Sequence, residues 1–274
     1  MEYTRAFLMG RMAWSELDGL LLISGALGMF DREIVIKAGG YHTNTVGEDM
    51  ELVVRIRRFM ADQNIKYDVV YIPDPLCWTE VPSTVKVLAR QRSRWTRGTL
   101  ETLITHRKLL FNRKYGKLGM LGYPYWLMFE YLAPIIEFLG ILWFLFLAIT
   151  GRLNWPFFLL LLGFVYFFAV SLSIWSVLFE EMTFHKYERR RDVLRLIGTA
   201  FLEPILFHPM VMLMSIKGNI DKIFNRNTWG TLERTGFGQS YSFSLKLSLS
   251  ARLPSLSTVT TLYLPLPALP LNLK

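Results

Sequence analysis

Along the first 118 residues, apolar positions recur in short helical and strand-like patterns; beyond them come long, nearly uncharged runs. Residues 1–22 read as a helix that feeds a buried strand-like run, Leu20-Leu21-Leu22-Ile23. Ser24-Gly25-Ala26 follows at once. Such a small-residue break either lets backbone approach a ligand closely or simply makes a tight turn. Phe30 to Lys37 is a short helix stopped by Gly39-Gly40. Gly47-Glu48-Asp49 opens the next helix, with Leu52, Val53, Ile56 and Phe59 or Met60 as its apolar stripe. Glu51, Arg55, Arg57 and Arg58 fall mostly off that stripe. A second strand-like run, residues 69–72, ends at Pro73-Asp74-Pro75. Cys77 to Glu80 forms another short extended piece, with Cys77 as a buried small hydrophobe. Pro82-Ser83-Thr84 opens a further helix, capped by Ser83 or Thr84. Val85, Leu88, Gln91 or Arg92, and Trp95 lie near one of its faces. From Thr99 to Arg113 the pattern is amphipathic and predicts an interfacial helix, with His106 on its surface.

Met120 to Thr150 carries only Glu130 and Glu137 as charges, and Leu153 to Phe179 carries none. Each is long enough to cross a bilayer, which takes about 20 apolar residues. Gly151-Arg152 is the hairpin tip between them. A third run, Leu196 to Ile216, is interrupted by Glu203-Pro204 and His208-Pro209, so it either spans with a kink or lies re-entrant. The expected division is therefore a partial catalytic domain with its interfacial helix at 1–118 and a transmembrane region at 119–217. Within that region, helices at about 123–150 and 153–179 are joined by a candidate third at 196–216. A juxtamembrane segment at 218–238 and a Ser/Leu/Pro-rich tail at 239–274 complete the chain.

Composition sharpens this picture. The 274 residues are 52% hydrophobic and 15% aromatic, too apolar for an ordinary soluble domain. The net charge of +9 would suit nucleic acid, but the basic residues flank the apolar runs, which fits an anionic lipid surface instead. No nucleic-acid partner is expected. Basic stretches at 107–117 and 185–195 put both flanks of the hairpin, and with them residues 1–118, on the cytoplasmic side of a multi-pass membrane protein. Cys77 is the only cysteine, which rules out an intrachain disulfide and a Cys-based zinc site. No signal peptide is expected, because Met1 to Arg5 is not a basic lead into an apolar core. Asp49 reads either as an acid favouring a helix start or as a reactive carboxylate. Gln91, Arg92, Arg94 and Trp95 read either as part of a basic helix on lipid or as a grip on a phosphorylated sugar. A guanidinium binds diphosphate bidentately, and an indole stacks on a sugar ring. Glu130 reads as interfacial; Glu137 either faces a neighbouring helix or is functional.

Taken in order, Ser24-Gly25-Ala26 through Phe30, Gly39-Gly40-Tyr41, Gly47-Glu48-Asp49, Gln91-Arg92-Ser93-Arg94-Trp95, and Trp229 through Phe237 resemble the membrane-embedded family 2 glycosyltransferases. These include cellulose, hyaluronan and poly-N-acetylglucosamine synthases. The resemblance covers roughly residues 1–238. It implies an α/β fold plus membrane helices: the C-terminal part of a GT-A, Rossmann-like glycosyltransferase domain followed by a transmembrane helical region. It implies an inverting enzyme that transfers sugar from a nucleotide-sugar, of the UDP type, to a glycan or lipid-linked acceptor. Asp49 would be the general base and Glu48 would shape the pocket at the helix start. Gln91, Arg94 and Arg92 would bind the donor diphosphate. Trp95, Ser24 and Gly25 would meet the acceptor.

The chain departs from the family pattern in two places. Gly47 stands where Thr is usual, a loss of one hydroxyl. The family's upstream nucleotide-binding half, with its Asp-x-Asp metal motif, is missing, and no Asp-x-Asp occurs anywhere in the chain. Mg2+ or Mn2+ would serve the complete enzyme, but its ligands are absent here and no metal site is assigned. The chain is expected to be a truncated form with little activity alone, completed by the missing N-terminal half as partner. The alternative is a non-catalytic membrane remnant or an accessory subunit of a polysaccharide synthase.

Overall fold

Local signals set the helices of the first half. The computed structural model describes residues 3–23, 25, 27–73, 77, 79–184 and 190–224. A π-wound turn at Tyr3–Met9 leads into α1, Gly10–Glu16. Helix α2, Arg32–Lys37, is capped by the Asp31 side chain, which accepts from the Ile34 N–H. Gly39 and Gly40 stop it, at φ +96° and +68°. Helix α3, Glu48–Asp62, carries Glu48, Asp49 and Glu51 in its first turn, where the positive dipole end favours them. Helix α4, Val85–Thr105, is capped by Thr84 accepting from Val87 N–H.

The strand-like runs at 20–23 and 69–72 are extended, but no ladder forms among the described residues. Side chains satisfy part of their backbone instead. Arg57 donates to Leu20 O at 2.5 Å, and Ser15 accepts from Tyr71 N–H at 2.9 Å. With no sheet over it, Cys77 is exposed rather than buried, and Val70 and Val81 are exposed too.

Two expectations drawn from periodicity are corrected. Helix α3 is buried around most of its first half, so Glu51 and Arg57 lie inside it rather than on an outer face. The pattern at 99–113 is not a separate interfacial helix. Helix α4 runs through it to Thr105, and two short 3-10 turns follow, at Arg107–Leu109 and Arg113–Tyr115. His106, at the break, is fully buried.

The core gathers Met50 and Val54 of α3 with Leu103, Leu109, Tyr115, Leu118, Tyr123 and Trp126, under Leu21. The last three of the Leu103–Trp126 series belong to α5, Leu118–Ile149, the first of three helices long and apolar enough to cross a membrane among the described residues. The others are α6, Trp155–Phe184, and α7, Arg190–Ile223. The third apolar run thus lies within one continuous helix. It widens to π winding at Glu203–Phe207, where Pro204 lacks an N–H. The same widening precedes Pro124 and Pro134 in α5. The Tyr3–Met9 turn docks on this bundle. Arg5 pairs with Glu203 of α7 at 3.0 Å and donates to Ser173 of α6 at 2.7 Å. Glu137 of α5 accepts from His208 of α7 at 2.9 Å. The tail at 239–274, and most of the segment before it including Trp229 to Phe237, lie outside the described residues.

Candidate functional site

Two helices and one turn build the site. The chain enters α3 through Thr45-Val46-Gly47, and this entry is pressed against α4. Glu101 of α4 accepts from Thr45 Oγ1 at 2.8 Å and from Val46 N–H at 3.1 Å. One α-turn earlier on α4, Gly98 meets Gly47 backbone to backbone. A Cβ built on either glycine would fall 2.7 Å from the other's Cα. Gly47 is therefore more than a missing hydroxyl: any side chain there would push the helices apart. Continuing back along the same face of α4, at spacings of three and four residues, come Arg94 and then Gln91. Beyond Gly47, helix α3 runs toward the C-terminal end of α4, with Glu51 reaching His106 at 3.1 Å, so Arg94 and Trp95 lie about one turn back along α4 from the Gly47–Gly98 contact.

Asp49 sits in that first turn, half-buried. Its Oδ1 accepts from Met50 N–H at 2.8 Å, which fixes the carboxylate. Its Oδ2 faces Gly25, where a Cβ would come within 2.7 Å of it. The helix-start and reactive readings of Asp49 are thus compatible, one oxygen for each. Gly25 itself lies in a turn and approaches the chain's own Asp49. Ser24 lies outside the described residues. Glu48, next to Asp49, is half-buried at the head of α3.

On α4, Arg94 and Trp95 are half-buried, while Arg92 is buried with its guanidinium 4.6 Å over the Trp95 ring. The Gln91 amide has a buried oxygen without a hydrogen-bond partner among the described residues. A buried orphan of this kind marks unused bonding capacity, and a flipped amide would present N–H groups to an anion. The opposite face of α4 is clamped to α7. Ser93 donates to Asp221 at 3.1 Å, and a Cβ on Gly218 would meet Ser93 O at 2.9 Å. Lys222 of α7 reaches through to Glu101 at 2.6 Å. Burial raises the Glu101 pKa, but bonds from Lys222, Thr45 and Val46 outweigh it and hold the carboxyl below its ordinary value.

Behind Asp49 lies a group that the sequence reading missed. Glu51 accepts from His106 at 3.1 Å and from Arg55 at 2.9 Å, and Arg55 also binds the carbonyls of Ala38 and Gly40. Burial pushes Glu51 up, yet the His106 and Arg55 hydrogen bonds and the Arg55 charge bring it down to about 2. Burial also lowers the His106 pKa, against the pull of Glu51, so the ring is neutral at pH 7. Gly98 left a readable signal, a lone glycine inside a strong helical pattern. Glu51 and His106 left none, because their pairing spans 55 residues.

Magnesium or manganese does not fit the described residues, where no group of three or more His, Cys, Asp and Glu side chains could hold a metal ion. The chemistry considered below rests on side chains alone.

Comparison with known proteins adds an independent line. The family described as "Glycosyl transferase family group 2" matches residues 2–179. A "Poly-beta-1,6-N-acetyl-D-glucosamine synthase" of Staphylococcus epidermidis is 29% identical over 183 residues, 66% of this chain and 41% of that protein. The Staphylococcus aureus (strain COL) protein of the same name is 31% identical over 114 residues, 42% of this chain and 25% of that one. A "Probable glycosyltransferase YdaM" of Bacillus subtilis is 34% identical over 89 residues, 32% of this chain and 19% of that one. The matched stretch thus spans about two fifths of the first relative's length and a quarter or less of the others'. No solved structure matches the chain.

Proposed function

This chain belongs to glycosyl transferase family group 2, and on that premise we propose that it carries the acceptor-activating and diphosphate-gripping half of a sugar-transfer site. An acceptor hydroxyl is a weak nucleophile at neutral pH. Asp49 Oδ2 takes its proton as the hydroxyl oxygen attacks the anomeric carbon, and a positioned base contributes about 10²–10⁴-fold to such a step. The bond from that carbon to the nucleoside diphosphate breaks with inversion. Gln91, Arg94 and Arg92 receive the charge that develops on the departing diphosphate. Trp95 stacks on the acceptor sugar, Glu48 shapes the pocket head, and Gly25 meets the acceptor beside Asp49; Ser24 is assigned to the acceptor by the family pattern alone. The donor is a UDP-sugar. UDP-N-acetylglucosamine is the first to test, given the names of the staphylococcal relatives. The growing end is a glycan or lipid-linked acceptor at the cytoplasmic face of a multi-pass membrane protein. The divalent cation of the family draws its ligands from outside these residues.

The observation that supports this reading is the pair of close approaches, Gly47 on Gly98 and Gly25 on Asp49 Oδ2. They join the acid's turn to the helix bearing Gln91, Arg94 and Trp95. Incorporation of labelled N-acetylglucosamine tests it, in membranes where the chain is supplemented with the nucleotide-binding portion of its Staphylococcus epidermidis relative. Asp49→Asn is expected to lower the rate by about 10²-fold or more with donor affinity unchanged. An unchanged rate would remove Asp49 from the chemistry. No incorporation from a folded, supplemented chain would favour the accessory-subunit reading.

A further inference from the structure

Between the end of α4 and the start of the first membrane helix, the chain makes a tight loop that no part of the sugar chemistry uses. Phe111 N–H donates to Gly119 O at 3.1 Å and closes it. Gly119 fits under the loop so closely that a Cβ would lie 2.5 Å from Asn112 O and 2.7 Å from Leu109 O. Leu109 and Tyr115 anchor it in the core, and Lys114 and Tyr115 tie it to Asp62. Phe111 adopts φ +50°, a conformation bulky residues rarely hold. The ring that this strained backbone presents is 64% exposed, beside an exposed Leu110. The closing hydrogen bond sets Phe111 next to Met120 and Leu121, which are the first exposed apolar residues of α5.

Around this apolar tip stand Arg107, Lys108, Arg113 and Lys117, all exposed. None has an acidic partner among the described residues; Asp62 is taken by Lys114. Lys117 directly precedes Leu118, where the first helix long and apolar enough to cross a membrane begins, so these cations flank one end of that helix.

We propose that residues 107–117 form an anionic-phospholipid site, in which Leu110 and Phe111 insert among acyl chains while Arg107, Lys108, Arg113 and Lys117 bind the phosphate headgroups. The charge count and the continuity with α5 favour a negatively charged leaflet over a zwitterionic one. Lipid charge then sets how firmly the C-terminal end of α4 is seated, about three to four turns along that helix from Arg94 and Gln91. This inference stands apart from the sugar-transfer reading, and its test needs no activity.

The test is fluorescence of Phe111→Trp in the full chain, in nanodiscs of mixed phosphatidylglycerol and phosphatidylcholine, subtracting the parent chain's own tryptophans. Leu110→Trp gives the same reading if the first variant does not fold. Bromine is placed on the acyl chains of one lipid class at a time. Quenching at least twofold stronger from brominated phosphatidylglycerol is expected. The preference should vanish, with quenching retained, when Arg107, Arg113 and Lys117 are all changed to Gln. Equal quenching from both lipids, or a water-exposed emission with none, overturns the proposal.

Discussion

At Asp49 the two carboxylate oxygens have different surroundings. Oδ1 is held by the Met50 N–H, and Oδ2 looks onto Gly25. Its orientation depends on the helix that carries it, and Glu51, two residues on, ties that helix to His106, while Arg55 of the same helix bonds to Glu51 and to the Ala38 carbonyl. This buried group gives a pH signature. Glu51 is held at about 2 and His106 below its ordinary value, so in both cases the unfolded chain binds protons more readily than the folded one. Stability is therefore full above about pH 6.5. It declines as pH falls, first as His106 would protonate on unfolding, then more steeply below about pH 4.5 through Glu51. Thermal unfolding of the detergent-solubilised chain from pH 7.5 to 4 should show this fall. His106→Asn should flatten the upper part of the curve and leave the lower part; a wild-type curve flat to pH 5 would contradict the assignment. Residue types could offer Asp49 and Gln91 as candidates. They could not announce His106, whose partner Glu51 comes from α3 rather than from its neighbours in sequence.

Helix α4 works as a two-sided plate. One face sets Gly98 and Glu101 against the entry of α3, with Arg94 and Gln91 further back at helical spacing, and the other packs Ser93 onto Gly218 of α7. The glycine contact tolerates no added atom. Gly98→Ala should cost about 1–3 kcal/mol through overpacking, read as a lowered melting temperature, and should reduce transfer more than donor binding. A Gly98→Ala chain with unchanged stability and transfer would show that the helices do not depend on this contact. The helices were legible because capping residues and apolar spacing are local: Asp31, Thr84 and Gly39-Gly40 each did what their chemistry predicts. The strand-like runs read as strands for the same local reason. A strand, however, is completed by a neighbour, and here Ser15 and Arg57 meet groups that a ladder would use.

For the whole molecule, the membrane part and the candidate site are continuous. The core of α3 and α4 rests on the first turns of α5, and Lys222 at the end of α7 bonds to Glu101 beneath the site. The apolar runs were readable because a bilayer demands uninterrupted length. Local pattern could not reveal that Arg5 crosses to Glu203 in α7, since that pairing spans 198 residues. Such anchoring ties the α3–α4 unit to the membrane helices. The most direct test of the central claim is titration of UDP-N-acetylglucosamine, with manganese, into the solubilised chain and into Arg94→Ala and Asp49→Asn variants. Saturable binding is predicted for the wild type and Asp49→Asn, and a loss of tenfold or more for Arg94→Ala, about 1.4 kcal/mol. Absence of binding to a well-folded chain, or binding indifferent to Arg94, would contradict the assignment of this helix to the donor diphosphate.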